Sequence, residues 1–467
     1  MRARINYNMA VRMLGTAKDL APVLALLLCG VGLRLFMAAS WDIYYSHDFD
    51  AHLALVDWFA QTLRLPPLAL SRAAYHPPLY YLLAGRLVRA GLSIQGLALV
   101  GALLGCLRLL LFAAALEVLP LLSTLPRAAR RFALALMVFM PSSVHGEVML
   151  GGETLQNLLA LCSLVLVALL LHAPRRLHRS LLLAIALGLT LGVGVLVKIS
   201  ALMLLAALAL GALAEALWLR DGGLRGRLQR LAPLALCGLI AMATSGPYLA
   251  RNHHLHGKPL LTSFDAYDRA LMQDLPPYLA RRAPSFFVGW PPSFFALPYN
   301  ARAPRPSFLP VLVATTFVDY YNYAFAPYPE PGQPRVEGPQ NPLRPDALRL
   351  GQLSMLGGTL LALATALGFV VALFAALRRR DAAQLTLLAA PLLILLGQLH
   401  FATAFPFDFR GQIKGSYMLL TAPVLCVVLG ATWDALRRRG ALGRALAAVL
   451  LLALGMVALY ATLSPVL

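Results

Sequence analysis

WDIYYSHDFDAHLALVDWFAQTLRLPPLALSRAAYHPP, residues Trp41 to Pro78, is the stretch on which the reading of this chain turns. It follows a long apolar run, Leu20 to Ser40, and interrupts an otherwise oily sequence. It carries two acids (Asp48, Asp50), two histidines (His47, His52), a tyrosine pair and the turn His76-Pro77-Pro78. Asp50 to Leu63 patterns as an amphipathic helix: Ala51, Leu55, Trp58 and Phe59 fall on one face, with Asp50, Asp57 and Gln61 off it. Leu79 to Leu92 is apolar but short and carries Arg86 and Arg89, which suits a second helix lying in the membrane plane. Acids clustered where a first helix leaves a bilayer mark a place of chemistry or recognition.

That a bilayer is involved follows from composition. The 467 residues are 60% hydrophobic and 13% charged, with mean hydropathy +0.72, whereas soluble domains are about 45–50% apolar and roughly 25% charged. Many apolar runs reach the roughly 20 residues a crossing needs. The net charge of +20 resides largely in short Lys/Arg clusters between these runs, as cytoplasmic loops require, so no nucleic-acid partner is expected. All five cysteines sit in apolar runs without metal-ligand spacing and read as small buried hydrophobes. Leu20–Ser40 lacks a small-residue cleavage site and reads as a retained signal anchor. The Ala/Leu/Arg-rich style suits a bacterial inner membrane.

Basic residues set the orientation. Arg2, Arg4, Arg12 and Lys18 place the N-terminus in the cytoplasm and the Trp41–Pro78 loop outside. Further crossings are expected within Gly96–Leu122, Phe132–Val144 and Thr154–His172. A hairpin over Leu181–Ala216 has its outer tip near Lys198, and Leu231–Leu249, Gly351–Leu377, Leu385–Phe401, Met418–Ala435 and Ala441–Leu463 follow. The expected fold is an all-α polytopic membrane protein of about eleven crossings, with in-plane helices in the first outer loop. Three regions emerge: 1–249 with its outer loop 41–92, a Pro- and aromatic-rich outer segment 250–350, and C-terminal helices 351–467. Within the second, Phe286–Phe295 suits the membrane surface or a lid.

Polar residues then gather in the outer loops. Asp48 or Asp50 beside a cavity can act as a general base; either can equally cap the helix that follows. Glu147 and Glu153 lie in the second outer turn, where an acid orients an acceptor or, for Glu153, simply suits a helix N-terminus. Lys198, Arg251, Arg410 and Lys414 are cations in or beside outer loops. Charges at membrane depth are costly and point to function, here to a phosphate; snorkelling anchors are the plainer account. Arg108, inside a span, is a structural partner or a site residue. His47, His52, His76 and His145 show no helical HxxxH spacing, so a divalent metal is not favoured and no cofactor is assigned. Asp319-Tyr320-Tyr321-Asn322-Tyr323 suits sugar stacking or an interfacial belt. No Walker loop, GxGxxG, HExxH or GxSxG motif is present, which leaves ATP-driven transport and zincin-type proteolysis unsupported.

The order of motifs resembles the GT-C glycosyltransferase superfamily, in particular the branch of protein O-mannosyltransferases and aminoarabinose transferases. An acidic pair after the first span is followed by YHPPLYYLL (Tyr75–Leu83), GGETL (Gly151–Leu155), LVKISALM (Leu196–Met203) and YLARNHHLHGKPL (Tyr248–Leu260). The likeness continues more faintly through TTFVDYYNY (Thr315–Tyr323) and KGSYMLLTAPVL (Lys414–Leu425). The resemblance implies a sugar donor on polyprenyl phosphate and a protein, lipid or polysaccharide acceptor. It also implies inversion at the sugar carbon by an outer-loop Asp. That position falls on Asp48 by its spacing to His52. Asp50 is the fallback, because the usual Asp-Glu is here Asp48-Phe49. Glu153 matches the second acid. Lys198, Arg251 and Lys414 match the phosphate-holding cations, to which Arg410, His76 and Tyr417 are added; the usual Arg-Tyr of the last motif is here Ser416-Tyr417. Glu147, Tyr320 and Tyr321 are expected on the acceptor or lid side.

The implied chemistry needs fixed cations for the leaving phosphate and a base on the opposite ring face. The competing class is a lipid or ion transporter, but transporters show inverted repeats and midplane sites. No repeat is evident here, and the acids sit in outer loops.

Overall fold

The computed structural model describes residues 17–46, 48–172, 177–218, 223–265, 267–290, 292, 295, 307–318, 345–407 and 413–464. Helix α1 (Ala17–Ser40) leaves through a 3-10 turn into α2 (Phe49–Gln61), and a Pro-rich loop leads to α3 (Leu79–Arg89). α2 and α3 pack together, burying Phe49, His52, Leu55, Val56 and Phe59 of the one and Tyr81, Ala84 and Gly85 of the other. Of the stripe read from sequence, Leu55 and Phe59 are buried and Ala51 half-buried, with Phe49, His52 and Val56 completing the buried side. Trp58, at its edge, is half-buried and donates its indole N–H to the Arg64 carbonyl at 2.7 Å. Pro78 stands at the N-cap of α3, where its missing N–H costs nothing.

α4 (Ile94–Val118) begins at Ser93, whose hydroxyl accepts from the Gly96 amide. The short helices α5 (Arg127–Val138) and α6 (Pro141–Gly146) follow, then α7 (Glu153–His172). α8 (Leu177–Val197) and α9 (Leu202–Trp218) form the expected hairpin, turning at Lys198 through a 3-10 piece, Ile199–Ala201. α10 (Gly223–His256) comes next. After α11 (Phe308–Phe317), the chain runs through α12 (Pro345–Arg379), α13 (Ala382–Ala404), α14 (Gly415–Met418), α15 (Ala422–Arg437) and α16 (Ala441–Leu463).

Among the described residues nine helices are long and apolar enough to cross a membrane. The two other expected crossings, Phe132–Val144 and Met418–Ala435, are broken: α5 then α6, and α14 then α15. At 12 and 16 residues, α5 and α15 fall short of the roughly 20 that span a bilayer. Pro141 helps account for the first break, since it has no N–H to continue the ladder. The two short helices pack on each other, with Phe132 and Trp433 stacked at 4.9 Å, and their tips α6 and α14 also meet.

Broken helices leave carbonyls without intrahelical donors, which at membrane depth must be satisfied by protein. Two arginines do this. Arg34 Nη1 donates to the Val138 carbonyl at the end of α5 (3.2 Å) and to Gly30 (3.2 Å). Arg108 Nη2 donates to the Leu419 carbonyl at the end of α14 (2.5 Å). Both also pair with Glu147: Arg34 Nε lies 2.5 Å from Oε2 and Arg108 Nη1 3.6 Å from Oε1, with side chains at most 2% exposed. Ser143 bridges the group, accepting from Arg108 and donating to Glu147 at 2.7 Å. The surplus positive charge faces helix C-termini, where the backbone carries partial negative charge. α4 makes room with two glycines: a Cβ at Gly101 would sit 2.0 Å from the Glu147 carbonyl oxygen, and one at Gly105 2.3 Å from its carboxylate.

The helices alternate in direction. The loops around α2 and α3, the α6–α7 turn, the α8–α9 turn and α14 therefore share one end of the bundle. The arginine runs closing α12 and α15 lie at the other.

Candidate functional site

At the first of these ends lies a small polar cavity of ≈ 50 Å³. It draws on four separate pieces of chain: Asp48, His52, Tyr75 and His76; Ser143, Glu147, Glu153 and Asn157; Lys198; and Lys414, Ser416 and Tyr417. A second chamber of ≈ 60 Å³ adjoins it. Asp48, His52, Tyr75, His76, Lys414 and Tyr417 line both, and Arg72, Phe264, Asp268 and Phe401 close the far side of the second.

Hydrogen bonds fix how these pieces meet. Gln95 holds the start of the first loop, donating to the Trp41 carbonyl (2.6 Å) and accepting from the Ile43 amide (3.0 Å). Ser46 accepts from the Leu150 amide (2.9 Å), and the Tyr80 hydroxyl accepts from Gly151 (3.1 Å). These two contacts tie the turn before Glu153 to the loop that carries Asp48. Ser71 donates to the Ala51 carbonyl at 2.9 Å, which places Arg72 against Asp48. On the remaining side, the Gly415 amide donates to Thr315 Oγ1 at 2.9 Å and so seats Lys414.

Asp48 occupies the left-handed backbone region (φ 54°) immediately before α2, a conformation Asp tolerates better than most residues. Its carboxylate makes no cap to the helix and is ion-paired with Arg72. Asp50 is exposed in the first turn of α2 and lines neither chamber. Glu153 opens α7 and pairs with Lys198, whose ammonium also lies 5.1 Å from the centre of the Tyr417 ring. Burial, with Lys198 and Arg72 close by, holds the Lys414 ammonium below its ordinary pKa. Burial pushes the Tyr75 phenol up.

The rings of His52 and His76 stack at 5.7 Å, and His52 Nδ1 lies 2.7 Å from the Tyr81 hydroxyl. Burial, then the neighbouring Lys198 and His52, pulls the His76 pKa well below 6.5. The native imidazole stays neutral while the unfolded chain takes up a proton near pH 6.5. Stability from this residue is therefore complete above pH 6.5 and declines on acidification toward the depressed native value. A melting series in detergent from pH 8 to pH 5 is expected to show that decline. His76→Gln should flatten it, and an equally steep slope in that variant would remove His76 as the cause.

Of the residues singled out from sequence, Asp48, Glu153, Lys198, Lys414, His76, Tyr417 and Glu147 come together here. Glu147 lines the first chamber, but its carboxylate is committed to Arg34, Arg108 and Ser143. Arg251 is half-buried near the end of α10 and lines neither chamber. Arg410, Tyr320, Tyr321 and His47 lie outside the described residues. Among the described residues, no group of three or more His, Cys, Asp or Glu is placed to share a metal ion. Sequence reading missed Arg72, hidden among loop residues, and Asn157, which lines the cavity at 2% exposure; Ser416, noted only as a departure from the usual motif, lines it too. It also missed Arg34, although a cation inside the first apolar run was a usable signal.

No family model matches the chain, and no curated protein matches its sequence. Solved structures do. The Archaeoglobus fulgidus oligosaccharyltransferase in its apo form aligns with 95% of this chain at TM-score 0.51 and 14% identity. The same organism's AglB, in complex with an inhibitory peptide and a dolichol-phosphate, aligns with 96% at TM-score 0.51 and 12% identity. ArnT from Cupriavidus metallidurans bound to undecaprenyl phosphate aligns with 90% of this chain and 79% of its own at TM-score 0.40 and 15% identity. The chain spans 56% of the length of the oligosaccharyltransferases.

Proposed function

We propose that this chain, which shares the fold of the Archaeoglobus fulgidus oligosaccharyltransferase, is a membrane glycosyltransferase of the GT-C kind using a polyprenyl-phosphate sugar donor. The observation that carries the reading is the convergence of Asp48 and Glu153 with Lys198 and Lys414 on one polar cavity, in a fold whose archaeal example was solved with a dolichol-phosphate. The site faces the extracytoplasmic side of a bacterial inner membrane, the side opposite the arginine runs.

In this reading the donor phosphate sits between Lys198 and Lys414, where burial strengthens its attraction to both cations. Binding draws Lys198 from Glu153 and frees that carboxylate to accept hydrogen bonds from the sugar. The acceptor enters through the second chamber, past Phe264. Asp48 takes the proton as the acceptor heteroatom forms its bond to the anomeric carbon. The bond from that carbon to the phosphate oxygen breaks, its electron pair leaves with the polyprenyl phosphate, and the lysines offset the charge. Attack opposite the leaving group inverts the sugar carbon.

The test is transfer by purified protein in lipid nanodiscs, using undecaprenyl-phosphate hexoses and pentoses with envelope extracts as acceptors. The wild type is expected to consume at least one donor and release polyprenyl phosphate. A charged hydrogen bond is worth about 1.5–3 kcal/mol, so Lys198→Ala or Lys414→Ala is expected to lower kcat/KM for the donor on the order of tenfold to a hundredfold. No consumption of any lipid-phosphate sugar, or variants that match the wild type, would remove the proposal.

A further inference from the structure

A much larger cavity lies at the other end of the bundle and has no part in the proposed transfer. It is a cleft of ≈ 720 Å³ between α4 and α7 on one side and α12, α13, α15 and α16 on the other. It is not only a groove in the outer surface, because it reaches Phe112 (1% exposed) and Leu388 (3%) in the interior. Its walls are almost wholly aliphatic, and Arg439 stands at its rim. The surrounding sequence is strongly basic: Arg378, Arg379 and Arg380 close α12, and Arg437, Arg438 and Arg439 close α15. The acids beside them are committed. Asp434 binds Arg437 and Arg438, and Asp381 accepts from the Gln384 amide at the start of α13.

We infer that this cleft is a binding site for an anionic diacyl phospholipid, its acyl chains between the helices and its phosphate beside Arg439 at the rim. An apolar cleft in a bilayer fills with hydrocarbon whatever the headgroup, so Arg439 at its rim carries the selectivity. A basic residue near an anionic lipid surface contributes about 1 kcal/mol. Arg439 alone therefore separates an anionic from a zwitterionic lipid by about fivefold. A polyprenyl phosphate shares the chemistry, but the phosphate of a reacting donor is required at the opposite end of the helices.

Native mass spectrometry of the delipidated full chain, titrated with dioleoylphosphatidylglycerol, dioleoylphosphatidylethanolamine or undecaprenyl phosphate, tests this. Phosphatidylglycerol is expected to bind at least about fivefold more tightly than phosphatidylethanolamine. Arg439→Gln is exposed and leaves packing intact; it should weaken phosphatidylglycerol by about fivefold and leave phosphatidylethanolamine unchanged. Ala431→Trp fills the cleft and should cut binding of both. Equal affinity for the two phospholipids, preference for undecaprenyl phosphate, or unchanged phosphatidylglycerol binding in Arg439→Gln would each overturn the assignment.

Discussion

Asp48→Asn is expected to give a folded, membrane-inserted protein whose sugar transfer is lost by a factor of about 10²–10⁴, the usual contribution of a positioned general base. Asparagine is the right replacement because residue 48 has φ 54°, and Asn tolerates that left-handed backbone as well as Asp does. Asp48→Ala would add backbone strain and confuse the result. The Asp48–Arg72 pair is partly exposed, at 22% and 29%, so its loss should cost on the order of 1 kcal/mol of stability or less. Activity and stability thus separate cleanly. Asp50→Asn alters an exposed position outside both chambers and is expected to keep its turnover. Single-turnover transfer measured beside thermal unfolding reads both quantities. Near-normal transfer by Asp48→Asn would end the assignment of the base.

The largest stability effect is expected at Glu147. Removing one partner from a buried ion pair costs about 3–5 kcal/mol, because the charge left behind stays desolvated. Glu147→Gln leaves two buried guanidiniums facing one neutral amide, so denaturation in detergent should shift by that amount. A further variant isolates the cause. Replacing all three charges (Arg34→Met, Arg108→Met, Glu147→Leu) removes the uncompensated charge and should recover part of the loss. Recovery is expected to be incomplete, since the Val138 and Leu419 carbonyls then lose their donors, at about 1–3 kcal/mol for each group left unsatisfied. Wild-type stability in Glu147→Gln would refute this account of the breaks.

These two predictions rest on parts of the protein that differ in how far sequence exposes them. Apolar runs located all nine long helices, because length and hydropathy are local properties, although α10 and α12 extend six to eight residues past the expected bounds into more polar sequence. The α8–α9 tip at Lys198 and part of the buried stripe of α2 were legible for the same reason. The breaks were not read, although Pro141 sits in the first of them. An apolar stretch such as Phe132–Val144 looks the same whether it crosses whole or in two pieces. What separates the cases is the distant arginine that takes the freed carbonyl, and Arg108 and Leu419 are 311 positions apart. Motif order singled out Asp48, Glu153, Lys198 and Lys414, four residues that line the polar cavity. Arg72 was not, since nothing in its neighbourhood sets it apart from other loop arginines until Ser71 is seen bonded to Ala51.

The arginine-bridged breaks carry a consequence for biogenesis. Helix α5 is too short and too basic to be accepted by the membrane on its own hydrophobicity, so its integration must be assisted by neighbours already in place. Arg34 and Glu147 are both present once the ribosome has passed the α6–α7 turn. The carbonyl that receives Arg108 is synthesised almost at the end of translation. Until then Arg108 can reach Ser143 and Glu147 but not the Leu419 carbonyl, and that late contact adds one more tie between the two halves of the polypeptide.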